Sequence, residues 1–142
     1  MEQHKILVIS EHETDHLLLS ACLERARPAR FQVESARSLE RPLEAMMDPE
    51  VDVVIMAHGP QTEYLLRLAQ KNHASTPLLL LVDEADDALA RSLLEAGAQD
   101  YLVRGQLHDT LVHRILDYSI QLKTAREEIT LLSNRDTLTG AL

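Results

Sequence analysis

Five short apolar runs, each followed by a longer amphipathic stretch, leave few architectures open to this chain. The runs are Lys5–Ile9, Phe31–Ser35, Val51–Ala57, Leu78–Val82 and Tyr101–Val103. The stretches between them cover about 14–26, 39–47, 62–72 and 85–96, and a longer one starts near His108. Runs that are apolar throughout, rather than at every second residue, suit strands covered on both faces, as in a parallel sheet. Strand and helix alternating five times predict a doubly wound α/β domain of the (βα)5 kind. The breakers agree. Pro28, Pro60 and Pro77 fall at element edges, and Gly97 follows the fourth helix where a left-handed C-cap residue belongs.

The chain has 142 residues, the size of one domain, and 45% hydrophobic content suffices for a core. A formal charge of −9 argues against nucleic acid and against a membrane surface as partners, because both need clustered Lys or Arg. Aromatics make up 3% and Trp is absent, which disfavours recognition by stacking. The single cysteine, Cys22, lies among Leu17, Leu18, Leu19 and Leu23 and reads as a small core residue; it excludes a disulfide framework. The apolar start Ile6–Ile9 is too short for a signal peptide, and no run approaches the roughly 18 apolar residues of a membrane span. A cytoplasmic domain is expected.

In open α/β sheets, function gathers at the carboxyl ends of the strands, near the point where strand order reverses. The residues delivered there are Ser10 and Glu11, Ala57 and His58, Val82 and Asp83, and Arg104. The blocks Lys5-Ile-Leu-Val-Ile9, Asp52-Val-Val-Ile-Met56 with Pro60, Thr76-Pro-Leu-Leu-Leu-Leu81 and Gly97-Ala-Gln-Asp-Tyr-Leu-Val-Arg104 follow in order. Over about residues 4–122, this pattern resembles the receiver domain of two-component response regulators. The resemblance implies a flavodoxin-like fold, a five-stranded parallel sheet of order 2-1-3-4-5, with an extended C-terminal helix.

That family carries an acidic pair after its first strand and an aspartate ending its third, which bind Mg²⁺; the aspartate accepts a phosphoryl group. A Ser or Thr ends the fourth strand and a Lys the fifth. Here the same positions read Ser10-Glu11, Ala57, Val82 and Arg104. Alanine has no nucleophilic oxygen, and Val82 donates no hydrogen bond to a phosphoryl group. Mg²⁺ wants six oxygens at roughly 2.0–2.1 Å, for which Glu11 alone makes a weak site. Asp52 does not replace the acceptor, since it stands roughly 16 Å from Ala57 along the same strand. The reading is a degenerate phosphorylation pocket, with neither metal nor cofactor. In it Arg104 is expected to pair with Glu11 or Asp83 in the forked geometry that Lys lacks. Tyr101 takes the place of an aromatic switch residue and is expected to pack or to face a partner. His12 and His16 stand four apart without a third ligand, and read as surface; His58 reads as a loop residue.

From Leu111 the apolar positions are Leu111, Ile115, Tyr118, Leu122, Ala125, Ile129 and Leu132, a heptad spacing with no Gly or Pro before Gly140. The helix is expected to run to about Leu132, with residues 123–135 as a helical linker beyond the receiver-like domain of 1–122. Its uncovered seam predicts a homodimer through Ile115, Tyr118, Leu122, Ala125, Ile129 and Leu132. Residues 136–142, Asp-Thr-Leu-Thr-Gly-Ala-Leu, resemble the opening of GGDEF domains. That resemblance implies a regulatory front end for a diguanylate cyclase, a non-enzymatic module whose paired helices would place two cyclase domains. Two alternatives stay open: a receiver with an acceptor or metal site rebuilt from Glu11, Asp83 and His58, and a docking surface for another signalling protein.

Overall fold

The computed structural model describes residues 4–26, 31–36, 42–60, 62–72, 74–83 and 87–140, with side chains described as far as Ile129. The elements alternate strictly: β1 (His4–Ile9), α1 (Glu13–Ala26), β2 (Phe31–Ala36), α2 (Pro42–Met47), β3 (Val53–Ala57), α3 (Thr62–Lys71), β4 (Leu78–Val82), α4 (Asp87–Glu95), β5 (Asp100–Val103) and α5 (Asp109–Gly140), with a 3-10 turn at Arg104–Gln106. All strand pairs are parallel and the order is β2-β1-β3-β4-β5. The chain goes from β1 to β2 on one side and returns to β3 on the other, so order reverses between β1 and β3. The (βα)5 expectation holds. Among the described residues, no helix is long and apolar enough to cross a membrane.

The strands are apolar throughout because both sheet faces are covered. Ile6, Val8, Val53, Ile55, Leu79 and Leu81 point to one face, where α1 supplies Leu19, Cys22 and Leu23 and α5 supplies Val112, Leu116 and Ile120. Leu7, Ile9, Val54, Leu80 and Val82 point to the other, against Met46 of α2, Leu65, Leu66 and Ala69 of α3, and Leu93 of α4. Strand residues alternate between two buried clusters, so period two is invisible in the hydropathy. The exception is β2 at the sheet edge. Gln32, Glu34 and Ser35 are exposed there, and Glu34 pairs with Lys5 at 3.2 Å.

Several expected boundaries move, and two of the shifts bear on how α5 is held. β3 begins at Val53, not Val51, because the Val51 carbonyl is taken by side chains, Thr76 Oγ1 at 3.4 Å and Lys123 Nζ. Helix α5 continues to Gly140 rather than ending near Leu132, consistent with the absence of a breaker before that glycine. It also packs with a different stripe from the seam read in the sequence. Val112, Leu116, Ser119 and Lys123 are buried, each one position on from the heptad set, and Ile120 two positions on from Tyr118. Lys123 lies on the stretch expected to be free linker, yet it is 3% exposed and its ammonium caps the Val51 carbonyl. The body of the domain therefore holds α5 past Leu122.

Gly97 ends α4 as expected. Its φ is +115°, its N–H donates to the Leu94 carbonyl and that of Ala98 to the Leu93 carbonyl, both at 3.1 Å. This is a Schellman closure. A Cβ at position 97 would also stand 2.6 Å from Gln70 Nε2. Gly97→Ala is expected to lower stability by about 1–2 kcal/mol in urea unfolding. Adding Gln70→Ala should recover only the steric part, leaving the backbone cost.

Candidate functional site

The rim at the carboxyl ends of β1, β3, β4 and β5 is organised by one cation. Arg104 leaves β5 at the start of the 3-10 turn and reaches back across the rim. Its Nε donates to Asp15 Oδ1 at 2.9 Å and its Nη2 to Asp15 Oδ2 at 3.0 Å, a fork closed on both carboxylate oxygens. The remaining nitrogen, Nη1, donates to Asp83 Oδ1 at 2.7 Å. The expected pairing with Asp83 is present. The expected partner Glu11 is displaced by Asp15, a residue the sequence reading did not single out.

Chain geometry explains the exchange. Glu11 lies in the bend before α1 and is exposed, with no hydrogen bond or ion pair among the described residues. Asp15 stands in the first turn of α1, where side chains lean toward the helix N-terminus and so back over the strand ends. The helix dipole also favours an anion there. The only sequence signal was an acid in a helix's first turn, which ordinarily indicates a surface dipole partner. What distinguishes Asp15 is burial: its side chain is 3% exposed, against 83% for Asp83. One arm of the clamp is sheltered and the other is open to water.

Ser10 continues the clamp. Its N–H extends the ladder to the Ala36 carbonyl at 3.0 Å, its hydroxyl donates to Asp15 Oδ2 at 2.6 Å, and it accepts from the His12 N–H at 3.1 Å. Its carbonyl meets His16 Nε2 at 2.9 Å. His12 and His16 thus serve the turn, and among the described residues no three His, Cys, Asp or Glu side chains are grouped to hold a metal ion. Burial by itself pushes the Asp15 carboxyl up, but the donors Arg104 and Ser10 outweigh it and hold the group below the ordinary carboxylate range. The guanidinium is raised in turn, chiefly by its bond to Asp15.

Ala57, Val82 and His58 offer the rim no side-chain oxygen. Ala57 ends β3 beside Leu81 of β4, and Val82 is 3% exposed within the α3 and α4 face. His58 is exposed, its N–H donating to the Leu81 carbonyl at 2.9 Å. These residues do not fit a Mg²⁺ ion: the Ser10 hydroxyl and the Asp15 carboxylate are bonded to each other, and Asp15 is neutralised by Arg104. Asp52 sits at the opposite edge, accepting from the Lys5 N–H at 2.9 Å.

A second feature lies beside the rim. Tyr101, half-buried, lines an open groove with Val103, Gln106, Leu111, Ile115 and Tyr118. The structure thereby joins the expected partner-facing residue to the expected dimer helix. Ile115 and Leu122 are half-buried, Ala125 is exposed, and Tyr118 and Ile129 are 57% and 62% exposed. The side chain of Leu132 lies outside the described residues.

No protein-family model matches the sequence, and no curated protein does. Solved structures match the fold. A response regulator from Thermotoga maritima is similar with a TM-score of 0.69 at 21% identity, over 84% of this chain and 98% of that one. The signal receiver domain of an HD domain-containing protein from Pseudomonas fluorescens Pf-5 gives 0.67 at 24%, over 87% and 98%. A response regulator receiver domain protein from Clostridium thermocellum gives 0.69 at 23%, over 86% and 98%. The chain has the flavodoxin-like α/β fold of receiver domains, with a long α5.

Asp15→Ala is expected to cost about 3 kcal/mol, because it leaves Nε and Nη2 of Arg104 and the Ser10 hydroxyl without their acceptor and only the exposed Asp83 to pair the guanidinium. The folded-state carboxyl lies below its unfolded value, so its contribution is present above the ordinary carboxylate range. It is lost as pH falls through the folded-state value. In urea melts from pH 7 to pH 2, wild type should therefore lose more stability below about pH 4 than Asp15→Asn does.

Proposed function

We propose that this chain is a receiver-fold regulatory module that works without phosphorylation, and that its output is carried by α5. The observation that carries the reading is Ala57. It ends β3 at the point of strand-order reversal, where the receiver resemblance requires an acceptor oxygen, and no acid replaces it. Around it, Asp15 and Ser10 are bonded together and Asp15 neutralises Arg104. The group that would follow a phosphoryl charge is thus held by an internal carboxylate. A domain so arranged keeps one state and answers a protein or ligand signal. The rebuilt-acceptor alternative finds less support, since Glu11, His58 and Asp83 are all exposed and Asp83 is bound by Arg104.

The proposed output follows from the helix. α5 is anchored on the sheet by Val112, Leu116 and Ile120 and past it by Lys123, and it projects to Gly140 with Tyr118 and Ile129 of its seam exposed. Two such helices paired along Ile115, Tyr118, Leu122, Ala125 and Ile129 would place whatever follows them in each chain. By the resemblance of residues 136–142, that would be a GGDEF diguanylate cyclase domain governed by the pairing.

Incubation with acetyl phosphate and Mg²⁺, followed by intact mass measurement, is expected to leave the protein unmodified. A stable gain of one phosphoryl mass would overturn the reading. Ala57→Asp alone should also label poorly, because Val82 still offers no hydroxyl and Arg104 is still held by Asp15.

A further inference from the structure

The outer seam of α5 and the groove beside β5 form one continuous face. Leu111, Ile115 and Tyr118 line the groove, and the seam runs on through Leu122 and Ala125 to the exposed Ile129. The two flanks of this seam differ. On one, Ser119 is buried and its hydroxyl donates to the Ile115 carbonyl at 2.8 Å, while Arg126 donates to Gln99 at 3.0 Å. That flank is occupied by the chain's own body. The other carries Arg114, Gln121 and Glu128 at heptad spacing, all exposed, with no ion pair at Arg114 or Glu128 among the described residues.

From this charge pattern we infer that a second copy of the chain docks on this face with its α5 antiparallel. The occupied register sets Ile115 against the partner's Ala125, Tyr118 against the partner's Leu122, and Leu111 against the partner's Ile129. It covers the whole described seam and lays the partner's Ile129 at the groove. The same register brings Arg114 beside the partner's Glu128, and two-fold symmetry repeats the pair. Parallel helices forfeit this: Arg114 and the opposite-sign residue at 128 would stand roughly 21 Å apart along the axis. Gln121 would then face the partner's Arg126. Sliding the antiparallel pair by one heptad moves Arg114 roughly 10 Å from the partner's Glu128 along the axis. One arrangement satisfies both seam and charge.

The inference rests on the proposed role of α5 as output, and it specifies the resting state. Chains paired this way leave the interface in opposite directions. Their residues at 140 are about 60 Å apart by helical rise, so segments that follow the helix are held away from each other.

The test uses the 142-residue chain, whose own Cys22 is buried. Gln121→Cys is expected to form a disulfide-linked dimer under mild oxidation, because the two-fold axis passes beside it. Ile129→Cys is expected not to, since the two thiols would be roughly 27 Å apart. In sedimentation, Arg114→Glu should weaken dimerisation about ten-fold, and Arg114→Glu/Glu128→Arg should restore it. Cross-linking at 129 and not at 121 would overturn the antiparallel arrangement and leave the paired output helix standing. A helical monomer at every concentration would overturn the pairing altogether, and with it the helix-pairing part of the proposed function.

Discussion

A parallel sheet with both faces buried has one rim on which the chain leaves its strands, and that constraint organises this molecule. Because the central strands send alternate residues to two apolar clusters, the interiors of β3 and β4 offer no room for charge. Polar side chains collect instead where β1, β3, β4 and β5 end. Four segments far apart in sequence meet there. Ser10, Ala57, Asp83 and Arg104 are neighbours on the rim only because strand order reverses between β1 and β3.

The electrostatics of this rim are those of an internal ion-pair cluster. A phosphorylation site needs concentrated negative charge that a metal and a phosphoryl group can complete. Here one cation meets one sheltered and one open carboxylate, and the sheltered partner is also bonded to Ser10. The sheltered pair leaves no uncompensated charge for a ligand to answer. Such a rim joins α1, β4 and β5 mechanically, and Arg104 opens the turn that leads into α5. Rim and α5 are adjacent parts of one connection.

The far side of the sheet supplies the second hold on α5. Lys123 reaches the Val51 carbonyl at the approach to β3, and Arg126 reaches Gln99 at the approach to β5. The helix is thus tied at the approaches to the central strand and to the β5 edge while a different side stays open. Which side stays open decides what the helix can do. The buried stripe of Val112, Leu116 and Ile120 leaves Tyr118 and Ile129 facing outward, with Ile115 half-buried at the margin of the core.

Local pattern alone determined the number and order of elements, because apolar runs bounded by proline and glycine admit one reading each; β4 is where the periodicity puts it, and Gly97 closes α4 as its lack of a Cβ permits. It also determined that Ala57, Val82 and Arg104 stand at strand ends, since position within a run is a local property. Tertiary structure decided the partners. Asp15 is an ordinary first-turn acid until α1 packs over the strand ends, and the contact with Arg104 joins residues 89 apart in the chain. The face of α5 that is buried was likewise undecided, because two apolar stripes one residue apart satisfy the same helical period. Only docking on the sheet chose between them.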